Sequence, residues 1–146
     1  MDVKGIVTTL IKKHNTNNPF RLCEHLGIML SFENLGNLFG YCDTHYRIRT
    51  IHINQNTPSH LQAFICAHEL GHAIMHHDTN VPFLKAHTFY STDKLERQAN
   101  TFAVELLLSD DFIMEHDDTN LVNLAISVGI PNGLEELKRF NFRQGC

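Results

Sequence analysis

No stretch of this 146-residue sequence approaches the roughly 20 consecutive apolar residues that a membrane-spanning helix needs. The start also lacks the apolar block of a secretory leader, because Asp2 and Lys4 interrupt it, so the chain is expected to stay in the cytoplasm and away from membranes. Internal repeats and low-complexity runs are missing, which argues against solenoids and flexible linkers. The four cysteines, Cys23, Cys42, Cys66 and Cys146, form no Cys-x-x-Cys pair. Their scatter argues against a cysteine-based zinc site and against a disulfide framework, and free thiols are expected. Basic residues are scarce at the end: 109–146 holds three Lys and Arg against seven Asp and Glu, whereas 1–108 holds nine of each. The net charge of −4 therefore arises wholly in that last quarter, which would repel a phosphate backbone.

What is present is a composition near globular averages, with 42% hydrophobic and 19% charged residues. A folded chain of this size buries about 70% of its unfolded surface. The pattern is read as one domain over 1–146, with 109–146 as a helical C-terminal subregion. Val3, Ile6, Val7, Leu10 and Ile11 recur at helical spacing and predict a helix from Asp2 to His14. Asn18 before Pro19, with Gly27 behind Leu26, predicts a second, short helix with a cap at each end. Three runs rich in branched and aromatic residues follow, Ile28 to Glu33, Leu38 to Asp43 and Arg47 to Asn54, and predict a small antiparallel sheet. Thr57 and Pro58 repeat the cap signature ahead of a helix reaching His76. After a loop from Asp78 to Tyr90, Ser91, Thr92 and Asp93 open a helix from Lys94 to Leu108, and shorter helices are expected at Asp110 to Glu115, Asn120 to Val128 and Leu134 to Phe140. The expected class is α+β, with helices dominant.

Eleven histidines are many for this length, and their spacing separates two of them from the rest. His68, Glu69, Leu70, Gly71 and His72 spell HExxH. Four helical residues advance about 6 Å and turn about 40° past a full circle, so both imidazoles project from one face. Such a face offers two nitrogens to one zinc ion, while Glu69 reaches the water that the ion activates without binding the ion itself. Apolar Phe64, Ile65, Ala67, Ile74 and Met75 flank the motif, as a dry metal cavity requires.

A catalytic zinc takes a third protein ligand. The extended pattern HExxHxxGxxH is disfavoured because Met75 and Asp78 stand where it needs Gly and His. His76 lies two turns beyond His68, too far along one helix to share its ion, and His76 and His77 are read as surface residues near the helix C-terminus. Glu96 is preferred. It sits on the next helix with Ala99, Asn100 and Ala103 on its face, and small residues there let two helices approach closely. Asn100 is placed to accept the Nδ1 proton of a ligating histidine. Tyr90 and His87, in the preceding loop, are the candidate donors to a developing oxyanion.

With these residues in place, the chain resembles the ImmA/IrrE family of metallopeptidases. The resemblance joins HExxH at His68 to His72 with a downstream E-x-x-A-N-x-F-A-x-x-L-L segment, here Glu96, Ala99, Asn100, Phe102, Ala103, Leu106 and Leu107. It covers about Ala67 to Leu108, with weaker agreement at Ile51, His52, Ile53 and Asn54; a proline common after the double leucine gives way to Ser109 and Asp110. It implies a zincin-like fold and cleavage of a partner protein, typically a helix-turn-helix repressor of a phage, mobile element or stress regulon. It also implies His68, His72 and Glu96 as zinc ligands and Glu69 as the base. Two histidines and a carboxylate also accept Mn²⁺ or Fe²⁺. The alternative reading is a zinc-stabilised antirepressor that sequesters its partner without cutting it. The strand from Arg47 to Asn54 is expected to offer an edge to an extended substrate. The segment Leu121 to Phe140 has a helix-turn-helix rhythm, but its acidic surroundings favour packing or partner docking over DNA contact.

Overall fold

Local capping chemistry sets the first elements. The computed structural model describes residues 1–77, 84 and 89–139. In α1 (Val3–His14) the Asp2 carboxylate accepts the Gly5 amide, and the chain leaves the helix through Asn15 in the left-handed region. In α2 (Pro19–Leu26) the Asn18 side chain accepts the amides of Phe20 and Arg21, and Gly27 closes the other end at φ 73°. The second helix falls where its caps predict it, and the first where its apolar spacing does, with Asp2 as its cap.

The sheet contains β1 (Met29–Glu33), β2 (Gly40–His45) and β3 (Ile48–Asn54), in the order β1-β3-β2. Tyr46 and Arg47 both take positive φ, the two-residue turn that matches strand twist, and it folds β2 and β3 into an antiparallel hairpin. The expectation of an antiparallel sheet throughout is corrected at β1, which runs parallel to β3. A parallel pair needs a long crossover, and residues 34–47, with β2 among them, supply it. The Asn54 amide fastens the crossing by donating to the carbonyls of Gly36 and Leu38. β3 is therefore central and paired on both sides, so the edge expected of Arg47 to Asn54 belongs to β1 and β2 instead.

Ile51 and Ile53 of the central strand are fully buried, each worth about 1.5–3 kcal/mol relative to exposure. The core they join includes Leu22, Phe64, Ile65 and Leu70 together with Phe102 and Leu106. It is built by α3 (Ser59–Met75) and α4 (Lys94–Leu107), followed by α5 (Asp110–Glu115), α6 (Leu121–Ser127) and a 3-10 turn at Leu134–Leu137. The architecture is α+β, as the residue pattern predicts. Helix α3 starts one residue later than its signature suggests. The Thr57 hydroxyl donates to the Asn54 carbonyl and closes the preceding turn, so it does not cap the helix. The expected loop from Asp78 to Tyr90 lies outside the described residues except at Leu84, Phe89 and Tyr90, and the expected end at Phe140 lies outside them too. Among the described residues no helix is long and apolar enough to cross a membrane.

Two ionic clusters sit apart from the core. In α4, Glu105 is 2% exposed, and its Oε1 meets Lys138 Nζ at 2.8 Å and Lys4 Nζ at 3.3 Å. Asp110 shares both lysines, at 2.8 Å each. The Arg139 amide donates to Glu105 Oε2, so this carboxylate ties the C-terminal segment and α1 to α4. Breaking such a buried pair from one side costs about 3–5 kcal/mol.

On the open face of the sheet, His52 of β3 lies between Glu33 of β1, at Nδ1, and Asp43 of β2, 3.1 Å from Nε2. Tyr41 stacks on its ring at 4.2 Å. Partial burial opposes the charged imidazole, but the two carboxylates outweigh it and raise the His52 pKa above 6.5, while the same contact lowers that of Glu33. A raised histidine stabilises fully below its unfolded value of about 6.5 and loses that contribution as pH rises through the folded value. A lowered carboxylate acts in the opposite sense, losing its contribution as pH falls through its folded value. The melting temperature of the wild type should thus exceed that of His52→Gln most between about pH 5 and 6. The gap should shrink above neutrality; a gap that widens toward pH 8 would show that the cluster acts by packing alone.

Candidate metal centre

From Phe64 to Ala73 every residue of α3 is buried. A polar side chain on that stretch requires a partner, and the stretch contains three: His68, Glu69 and His72. The two imidazoles, one turn apart, have ring centroids 4.8 Å apart with planes at 78°. Glu96 approaches them from the first turn of α4, where the Asp93 carboxylate caps the helix by accepting the amides of Leu95 and Glu96. Gly71 permits the approach: a Cβ there would meet Cβ and Cγ of the fully buried Phe102 at 3.0 Å. The ridge of one helix thus fits against bare backbone of the other, and Glu96 faces the histidine pair.

His68 Nε2 lies 3.1 Å from Glu96 Oε1, and His72 Nε2 lies 3.1 Å from Glu96 Oε2. One ligand atom from each residue falls within 4.8 Å of the others. Although close, His72 Nε2 and Glu96 Oε2 are not aligned for a hydrogen bond, and both are buried without a partner. Two orphaned polar atoms facing each other are costly unless something binds both. The donor set suits a divalent cation: around a tetrahedral ion with bonds of about 2.0–2.1 Å, neighbouring donors stand about 3.4 Å apart.

Electrostatics separate the two carboxylates. Burial, the largest influence, pushes Glu96 upward, but the hydrogen bond from His68 and the proximity of both imidazoles outweigh it and hold the carboxyl down at about 2. Glu69 lacks such support. Its complete burial pushes it up to about 7, with the Glu96 charge adding to the rise and His72 opposing it. One carboxylate stays anionic beside the imidazoles, while burial shifts its neighbour toward the protonated form.

The remaining sequence-predicted residues fall as follows. Asn100 Oδ1 lies 2.8 Å from His68 Nδ1, and its amide nitrogen donates to the Phe89 carbonyl, which orients the amide with its oxygen toward the ring. Tyr90 is largely exposed, and its hydroxyl donates to the Asn132 carbonyl at 3.0 Å. His87 lies outside the described residues. His76 corrects the reading that placed it on the surface: it is 6% exposed, with Nδ1 2.9 Å from His72 Nδ1 and Nε2 2.7 Å from Gln98 Oε1. Burial lowers its pKa, the opposite of a cation favoured by a helix terminus. Distance from His68 excluded His76 as a co-ligand, but its four-residue spacing from His72 was the signal for this contact. Nothing in the sequence pattern marked Gln98.

The IrrE N-terminal-like domain family matches residues 23–125, a span that contains the HExxH segment, Glu96 and Asn100. The chain is 40% identical over 139 residues, 93% of its length and 88% of the relative, to a protein named uncharacterized immunity region protein 2 of Bacillus phage phi105. It is 36% identical over 115 residues, 77% of its length and 67% of the relative, to the protein named metallopeptidase ImmA of Bacillus subtilis (strain 168).

The Gly71 contact yields a test of the seam between the helices. Alanine gains about 1 kcal/mol of helix propensity over glycine, but overpacking against Phe102 costs about 1–3 kcal/mol. Gly71→Ala should therefore lose about 1 kcal/mol net and lower the melting temperature by about 2–4 °C. A rise would show that the seam gives way without strain.

Proposed function

This chain belongs to the ImmA/IrrE family of metallopeptidases, and on that premise we propose that it is a zinc-dependent endopeptidase that cuts a helix-turn-helix repressor and so relieves repression. It is a metallo-endopeptidase by its family. The resemblance to an immunity-region protein of a phage supports a role in phage immunity and, with it, a regulatory protein as substrate. The observation that carries the site assignment is the convergence of His68, His72 and Glu96, with two facing atoms left orphaned inside the protein.

In this reading His68 Nε2, His72 Nε2 and one Glu96 oxygen hold the cation. When bound, the cation supplies Lewis acidity, lowering the pKa of a water and polarising the scissile carbonyl. Glu69 takes the proton from the attacking water and returns it to the nitrogen of the leaving amine, which a carboxyl near neutrality does in both directions. Asn100 accepts the Nδ1 proton of His68 and leaves its Nε2 lone pair for the ion. For Tyr90 to meet a developing oxyanion, its hydroxyl must exchange the Asn132 carbonyl for the substrate. The extended substrate is assigned to the outer edge of β2. Beyond the bridge from Gly40 to Leu84 this edge has no strand partner among the described residues, and Cys42 on it lies within electrostatic reach of Glu69. Zinc is preferred over Mn²⁺ and Fe²⁺ on the strength of two imidazoles in the donor set.

The test is cleavage of a candidate helix-turn-helix repressor, followed by intact-mass spectrometry. Wild-type protein loaded with Zn²⁺ should release two fragments. Glu69→Gln should retain zinc and lose about 10²–10⁴-fold in rate. Cleavage by Glu69→Gln at the wild-type rate would remove the base assignment, and a partner that is bound but left whole by the wild type would favour sequestration.

A further inference from the structure

We propose that His76 and Gln98 are positioning residues that set the tautomer of His72, so that its Nε2 presents a lone pair to the cation. The inference rests on the reading of His68, His72 and Glu96 as the metal ligands.

The argument is one of donors and acceptors. The two Nδ1 atoms of His72 and His76 are 2.9 Å apart inside the protein, so one must carry hydrogen and the other a lone pair. The other nitrogen of His76 faces Gln98 Oε1 at 2.7 Å. A carbonyl oxygen only accepts, so His76 Nε2 carries the hydrogen and its Nδ1 carries the lone pair. That lone pair accepts the Nδ1 hydrogen of His72, which leaves His72 Nε2 without a hydrogen, 3.1 Å from Glu96 Oε2 and with no hydrogen-bond partner of its own. If the Gln98 amide were reversed, each step would invert. His76 would donate through Nδ1, His72 would accept there, and its hydrogen would move to Nε2, where it would block the ion.

Both histidines of the motif are thus oriented, but by different means. For His68 the task takes one amide, Asn100, which the Phe89 carbonyl fixes. For His72 it takes an imidazole and an amide in series. His76 is 6% exposed and His72 3%, so water is a poor substitute for either link. Side chains that orient metal-bound histidines commonly change metal affinity about 10- to 100-fold when removed.

The experiment measures Zn²⁺ affinity of the full chain by competition with a chromophoric chelator, for wild type, Gln98→Met and Gln98→Glu. Melting temperatures of the chelator-stripped proteins serve as the folding control. Methionine keeps the length without the acceptor and should weaken zinc about tenfold with little change in melting temperature, whereas glutamate keeps an acceptor oxygen and should restore affinity. A second reading uses ¹⁵N spectra of histidine-labelled, zinc-loaded wild type, in which His76 should carry its proton on Nε2 alone. Equal affinity for wild type and Gln98→Met, equal loss in both variants, or a His76 proton on Nδ1 would overturn the proposal. Failure of the wild type to take up zinc would instead bring down the underlying assignment of the ligands.

Discussion

The close contact of α3 with α4 is the constraint from which the rest of the site follows. The motif helix carries two imidazoles but no carboxylate able to join them, and the missing group arrives on a helix separated from it by eighteen residues. A glycine at position 71, with a phenylalanine ring against its backbone, lets the two axes come this near without crowding. The sheet supports this arrangement from one side: Gly40 of β2 brings the strand under Ile65, where a Cβ would meet the isoleucine methyl at 2.7 Å. Arg49 of β3 donates to the Ala73 carbonyl and satisfies one of the free acceptors at the end of α3.

Among the described residues, three titratable groups away from open solvent are met in different ways. Glu105 is neutralised by two lysines, and His52 by two partly exposed carboxylates. Glu96 leans on two imidazoles, which hold it anionic but leave one of its oxygens unsatisfied. The unsatisfied group lies at the candidate metal centre, where local compromise is expected. The clusters elsewhere are closed, and their effect is to hold strands and helices in register.

Much of this was readable in the residues because the physics involved is local. Asn18, Pro19 and Gly27 specify a short helix within ten positions, and the HExxH spacing puts both imidazoles on one face whatever the surroundings. Glu96 was legible because small residues at Ala99 and Ala103 announce a close helical neighbour. What escaped was set by partners distant in sequence. Strand composition does not say which neighbour a strand will choose, so the parallel pairing of β1, which depends on the path of the intervening chain, could not be read. His76 was misplaced because helix position alone ignores what α4 lays over it. Thr57 was taken from a cap by the turn beside it.

The Glu105 cluster links Lys138 and Arg139 to α4, the helix that carries Glu96. Lys138 and the Arg139 amide satisfy a carboxylate nine residues along α4 from Glu96. Proteolytic trimming ahead of residue 138 would strand that carboxylate inside the protein with one lysine left to answer it. The helix that carries Glu96 would then lose one of the contacts that hold its other end.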